Sequence, residues 1–278
     1  LYKGTHAFRK PPAVLGHEIS GTVCRAGAKV TKFKVGDRVT VEPQVGCGNC
    51  EFCKSGHVNL CAGKRVPGTP SWTGTFVEYF NAPEQAVYKL NDQISFEVGA
   101  LVEPLAVAVQ ALDQITGTSK NSMAILGSGT IGLLVLAAAK HRGYQDIYCT
   151  DTAPFNRELA LQLGAKAAYD PLKTDVAEQI KKETSGKGVD ACVIAAGAPN
   201  IVDQASAVTK KLGEVVLVSM ITKEIPVYTY SFVFNEQKLL GTMTYTTEAF
   251  EEAARLINEG LDVGAVITHD LPLEETGR

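Results

Sequence analysis

Four of the seven cysteines in this 278-residue chain crowd into one short window. Cys47, Cys50, Cys53 and Cys61 follow the pattern C-x2-C-x2-C-x7-C. Zinc takes four such thiolates in a tetrahedron, each at about 2.3 Å. The tight x2 spacing lets one loop place three sulfurs on one ion, and Gly46, Gly48 and Gly56 supply the backbone freedom that loop needs. Four thiolates close the coordination shell and leave no position for a substrate, so the spacing predicts a structural zinc. Disulfides or unrelated buried thiols are the plain alternative, and a nucleic-acid zinc ribbon is the functional one. A ribbon would set two C-x2-C knuckles on separate hairpins, whereas this loop sets Glu51 against Lys54 and carries no basic run.

A second group is spread along the chain. Gly16-His17-Glu18 stands just before a strand-like run. Histidine is a natural zinc ligand, and an adjacent carboxylate can bind the metal or tune it. Alone, a His-Glu pair in a turn reads as readily as a surface pair. Glu103 precedes Pro104, and a carboxylate at a helix start is also favoured by the helix dipole.

The third group is Gly127-Ser128-Gly129-Thr130-Ile131-Gly132, which satisfies G-x-G-x-x-G between an apolar run and a helical stretch. Gly127 permits the tight turn, Gly129 lets the backbone approach a pyrophosphate, and Gly132 lets helix and strand pack closely. The helix N-terminus would then face the phosphates. Asp151 follows Gly127 by 24 positions, where a carboxylate can accept hydrogen bonds from the adenine ribose and repel a 2′-phosphate, favouring NAD over NADP. Asp151 could instead cap the helix near Pro154. Arg157 is the counterweight near the ribose, although on the following helix it can also pack or pair.

These residues need elements to hold them. The first hundred or so residues have short alternating runs at 19–23, 38–41 and 76–80, broken by Gly, Pro and Asp. From about Ser119 to Thr244 the rhythm changes. Strands at 123–126, 146–149, 165–169, 189–195, 214–219 and 238–242 alternate with helices at 130–141, 154–163, 174–184 and 201–211. Such alternation predicts a parallel sheet with right-handed crossovers, and six strands fit a doubly wound nucleotide-binding fold. Residues 247–259 form one more amphipathic helix, followed by a β-like run at 265–268.

Residues 15–21, Gly36-Asp37-Arg38-Val39, the cysteine lobe, Glu103-Pro104-Leu105 with its flanks, the glycine loop and Ile267-Thr268-His269 resemble, in order and spacing, the zinc-dependent medium-chain alcohol dehydrogenases. Nearly the whole chain is covered. The resemblance implies an α/β protein: a GroES-like β-rich catalytic domain over 1–112 with a zinc lobe at 46–62, a Rossmann domain over 113–245, and 246–278 returning to the catalytic domain. It implies that His17 binds a catalytic zinc, that Glu18 binds it or sits behind His17, and that Glu103 occupies the further ligand position. A glutamate there is similar to the sorbitol and butanediol dehydrogenases. The implied cofactors are structural zinc, catalytic zinc and NAD, and the implied substrate is a secondary alcohol, a polyol or vicinal diol. The family's first zinc ligand, a cysteine, lies upstream of the segment matching Leu1 to Lys10, so the chain is expected to be a fragment with a weak or incomplete catalytic site. Another zinc alcohol or threonine dehydrogenase, a zinc-free reductase and a non-catalytic scaffold on the same fold are the alternatives.

Other features are expected to be bland. The net charge of −3 favours neither nucleic acid nor an anionic membrane. The longest apolar run, 131–139, falls far short of the roughly 20 residues that cross a bilayer. Clustered, odd-numbered cysteines suggest reduced thiols and a cytoplasmic compartment. His57, His6, His141 and His269 read as surface or loop residues, Cys149 and Cys192 as core thiols, and Trp72 and Phe80 as domain core. The strand-forming residues 225–234, near the end of the sheet, suggest a homo-oligomer, because an uncovered edge of that composition would aggregate.

Overall fold

The computed structural model describes residues 11–276. Leu1 to Lys10, including His6 and the segment expected to follow a first zinc ligand, lie outside the described residues. The chain divides into two compact units, Leu1–Ala106 together with Thr244–Arg278, and Val107–Met243.

In the first unit, strands β1 (Ser20–Thr22), β2 (Arg38–Val41) and β3 (Val87–Lys89) form an antiparallel sheet in the order β1-β2-β3. Asp37 anchors the turn into β2, accepting from the Lys34 amide at 3.0 Å and pairing with Lys89. The short helix α1 (Glu51–Lys54) starts at Cys50, whose sulfur caps it by accepting from the Cys53 amide. Helix α2 (Phe96–Ala100) is capped by the Ser95 hydroxyl, and α3 (Val102–Asp113) follows directly.

The second unit is a six-stranded parallel sheet. Its strands are β4 (Ser122–Leu126), β5 (Asp146–Thr150), β6 (Ala167–Tyr169), β7 (Val189–Ile194), β8 (Thr209–Leu217) and β9 (Lys238–Gly241), in the order β6-β5-β4-β7-β8-β9. The order reverses between β4 and β7, which makes the sheet doubly wound. Helices α4 (Thr130–His141), α5 (Pro154–Gln162), α6 (Val176–Glu183), α7 (Ile201–Val208) and α8 (Thr229–Asn235) supply the crossovers. Every residue of β4 is buried, as a central strand covered on both faces must be. Helix α9 (Thr247–Asn258) returns to the first unit, capped by Thr246. Among the described residues no helix is long and apolar enough to cross a membrane.

Several sequence expectations are corrected. Residues 76–80 form no strand; the amides of Thr75 and Phe76 instead bond to the carbonyls of Gly16 and Leu15. Residues 209–211 belong to β8, because Thr209 enters the ladder opposite Val189 and a left-handed Leu212 lets the strand continue past an irregular register. Residues 225–234 contain no strand: their aromatic residues lead into and build α8, so β9 is the outermost strand at that end of the sheet. Residues 265–268 begin within a 3-10 turn, Gly264–Val266. Trp72 and Phe80 stack on each other with ring centroids 5.5 Å apart but are only half-buried, so they are not core. His57, His141 and His269 are exposed, and Cys149 and Cys192 are buried in β5 and β7.

Candidate metal and cofactor sites

The cysteine lobe is built almost entirely from its own segment. Sulfur atoms of Cys47, Cys50, Cys53 and Cys61 lie within 4.8 Å of one another, a separation that one tetrahedral ion can bridge. A Cβ at Gly46 would stand 2.6 Å from the Cys53 sulfur, so only glycine lets the chain pass that close. The amide of Cys47 points at the Cys61 sulfur at 3.5 Å. Amides of Asn49 and Cys50 hold the Cys47 thiol down at about 6. Cys53 is drawn down by the Gly48 amide, yet desolvation and the neighbouring thiols outweigh it and carry the group up to about 11. Crowded thiols competing for protons in this way form the donor set that a divalent soft cation fits. None of the seven cysteines is in a disulfide.

The second cluster is assembled by the fold. Ligand atoms of His17, Glu18 and Glu103 also lie within 4.8 Å of one another. The His17 Nε2 is 3.8 Å from Glu103 Oε1. The turn carrying His17 is clamped by the two backbone bonds from Thr75 and Phe76, at 3.1 and 3.0 Å. Glu103 stands in the first turn of α3 and is 7% exposed. A carboxylate so buried needs partners, and the Tyr245 hydroxyl donates to its Oε1 at 2.9 Å. Burial, together with the charge of Glu103, raises the Tyr245 phenol well above its usual range. Glu18 keeps an exposed edge, but its carboxyl is walled in enough for desolvation to raise it. One imidazole and two carboxylates facing a common point fit zinc and leave room for a further ligand.

Sequence reasoning missed what lies behind this cluster. Glu42, buried in the segment after β2, accepts from Gln44 Nε2 at 3.1 Å, Thr247 Oγ1 at 3.1 Å and the Tyr88 hydroxyl at 3.2 Å. Gln44 Nε2 also donates to the Tyr245 carbonyl at 2.9 Å. Desolvation raises the Glu42 carboxyl, and those donors pull against it. The available signal was two charged or amide residues two apart, continuing the alternation of an apolar strand.

In the second unit the glycine loop joins β4 to α4. A Cβ at Gly132 would fall 1.9 Å from the Gly127 carbonyl oxygen, so glycine is what permits helix and turn to meet. Gly129 faces open space, the gap a phosphate would enter. The first-turn amides of α4, from Thr130 and Ile131 onward, have no intrahelical acceptors, and Ser128 is fully buried with its hydroxyl on the Thr150 carbonyl. Asp151 accepts from the Ser128 amide, the Ala153 amide and Asn156 Nδ2 at 2.9, 2.9 and 3.1 Å. Its two oxygens offer about four acceptor positions, so one remains for a ribose hydroxyl. Arg157 is committed locally: Nη1 donates to the carbonyls of Asp151 and Thr152 and pairs with Asp170.

Comparison with known proteins agrees with both units. Residues 1–92 match the alcohol dehydrogenase GroES-like domain, and residues 130–259 match the zinc-binding dehydrogenase family. The sorbitol dehydrogenase of Bacillus subtilis (strain 168) is 34% identical over 275 residues, 98% of this chain and 77% of that protein. The L-threonine 3-dehydrogenase of Caldanaerobacter subterraneus subsp. tengcongensis is 34% identical over 96% of this chain and 77% of its own length. The crystal structure of 2R,3R-butanediol dehydrogenase from Bacillus subtilis superposes with a TM-score of 0.83 at 36% identity, covering 92% of this chain and 72% of that one. With both units matched by their own family models, and relatives a third identical aligned along nearly all of it, the chain belongs to the zinc-dependent medium-chain alcohol dehydrogenases.

Proposed function

We propose that this oxidoreductase takes a hydride from a secondary alcohol, a polyol or vicinal diol, and delivers it to NAD. The observation that carries the reading is the meeting of His17, Glu18 and Glu103 at one point, although Glu103 follows His17 by 86 positions. Bound there, zinc supplies a Lewis acid that lowers the pKa of an alcohol oxygen, and bound NAD supplies the hydride acceptor.

The remaining work belongs to this chain's residues. His17 offers a ring nitrogen and Glu103 a charge that is already oriented by Tyr245. Glu18 either completes the set or tunes His17 from beside it. Cys47, Cys50, Cys53 and Cys61 hold the structural zinc. Gly127, Gly129 and Gly132 shape the phosphate turn, with Thr130 and Ile131 presenting backbone amides and Ser128, whose own amide is held by Asp151, fixing the turn beside the phosphates. Asp151 receives the ribose and repels a 2′-phosphate. The local commitments of Arg157 support NAD over NADP, because Nη1 of the guanidinium that could meet a 2′-phosphate is already engaged. Residues 1–112 with 246–278 serve the metals, and 113–245 serve the cofactor.

Substrate class rests on the relatives: a sorbitol dehydrogenase and a butanediol dehydrogenase favour polyols and diols, while the threonine dehydrogenase keeps an amino-alcohol as the second reading. NAD-reduction assays on sorbitol, xylitol, 2,3-butanediol and threonine, with a zinc count on the same preparation, decide between them. Turnover of a polyol or diol with zinc in both sites is the expected result; threonine alone would move the assignment.

We further propose a homo-oligomer in the cytoplasm. A reducing compartment suits four unpaired thiols in one lobe. Exposed Tyr228, Tyr230, Val233 and Phe234 beside or on α8, with Leu239 on the outer strand β9, are surfaces that a second copy would cover. Monomeric light scattering at micromolar concentration would remove the oligomer.

A further inference from the structure

We infer that Tyr245 is a positioning residue for Glu103, held in place by Gln44, so that a brace from the segment after β2 sets the carboxylate of the catalytic cluster. The inference rests on the zinc reading above and extends it beyond the ligands themselves.

Three observations carry it. The Tyr245 hydroxyl reaches Glu103 Oε1 at 2.9 Å, joining residues 142 positions apart, and both residues are buried. Its ring is fixed by Phe250, at 5.6 Å between centroids, and its carbonyl is held by Gln44 Nε2, which at the same time bonds Glu42. The preceding residue, Thr244, has a φ of 44°. A β-branched residue rarely adopts that left-handed backbone, and such conformations persist only where the surroundings enforce them, often beside functional groups. The buried Thr244 hydroxyl also finds no hydrogen-bond partner among the described residues. Here the strain turns the chain so that the next side chain enters the core and ends on Glu103.

A free carboxylate can rotate and offer either oxygen. With Oε1 fixed by the phenol, the orientation of the group is chosen before a metal arrives, and groups that orient ligands in this way change metal affinity about 10–100-fold when removed. Tyr245→Phe keeps the ring against Phe250 and deletes only the hydroxyl.

The test is a chelator competition that reads the zinc sites separately, with cobalt absorption as a spectroscopic signature of the His17 site. Tyr245→Phe is expected to weaken that site by roughly 10–100-fold and to shift its cobalt bands, leaving the cysteine-held zinc unchanged. Tyr144→Phe removes a hydroxyl from a buried residue of the second unit and should move neither reading. If Tyr245→Phe also loses the cysteine-held zinc, Gln44→Met, which keeps the length and removes the donor, should show the same shift in smaller degree. Unchanged affinity and bands in both variants overturn the role of Tyr245 while the zinc reading stands. A parent protein that binds zinc only in the cysteine lobe overturns the zinc reading and this inference with it.

Discussion

The cysteine lobe and the His17 cluster use similar chemistry but are built in different ways. All four sulfurs of the lobe come from residues 47 to 61, and their closure depends on a short loop and a glycine that clears one sulfur. The His17 cluster draws on a turn, on the start of α3 and on Tyr245, which follows the entire second unit in sequence. Closing a short loop costs little entropy, whereas contacts between distant residues exist only once the fold has paid for them. The lobe can therefore be read from spacing and should tolerate changes elsewhere. The cluster should respond to packing several residues away from any ligand.

The largest expected effect comes from removing a ligand at the non-local site. His17→Ala should abolish turnover and lower the zinc count by one, with the cysteine-held zinc retained; activity that persists in a steady-state assay would take His17 out of the mechanism. Cys61→Ala tests the other side. It removes one of four thiolates, and should cost several kcal/mol of a total of roughly 10–16 kcal/mol for such sites. Loss of zinc from the lobe, and a lower Tm, are expected by metal analysis and calorimetry, with cobalt bands at the His17 site preserved. If both metals leave together, the two regions are not independent.

Asp151→Ser sharpens the comparison within the second unit, because Asp151 serves its own loop and, on the proposed reading, would also receive the ribose. Losing a charged acceptor of this kind costs about 1.5–3 kcal/mol. The ratio of kcat/KM for NAD over NADP should fall by roughly tenfold or more, without loss of either zinc. An unchanged ratio would return Asp151 to a purely structural role.

The smallest effect belongs to a carboxylate in neither metal site. Glu214 is 3% exposed and holds the loop at Thr116 and Gly117. Burial pushes its carboxyl up, but bonds from Lys238, Thr116 and Gly117 outweigh burial and hold it down at about 2. A folded pKa below the ordinary value of roughly 4.3 adds stability that is present above that value and fades as pH falls toward 2. Glu214→Gln should therefore lower stability by about 2 kcal/mol at pH 7. The gap from the parent should close in denaturant melts below pH 4. A constant gap across that range would assign the loss to shape instead of charge.

The sequence by itself determined the lobe, the glycine loop and most of the second unit, because each of these rests on local spacing or on a regular period. Thr130–His141 was legible to the residue, since its start follows the loop and its apolar face repeats. Reading failed where neighbours outvoted local preference. Residues 225–234 are strand formers by composition, yet they lead into α8, and residues 209–211 continue a helical pattern but join the ladder beside Val189. The ligand types in the His17 cluster were visible in Gly16-His17-Glu18 and Glu103, but their meeting within 4.8 Å was not a property of spacing. Tyr245, Gln44 and Glu42 carried no motif at all. Only the tertiary structure could select them, because a buried carboxylate must find its donors wherever the packed chain brings them.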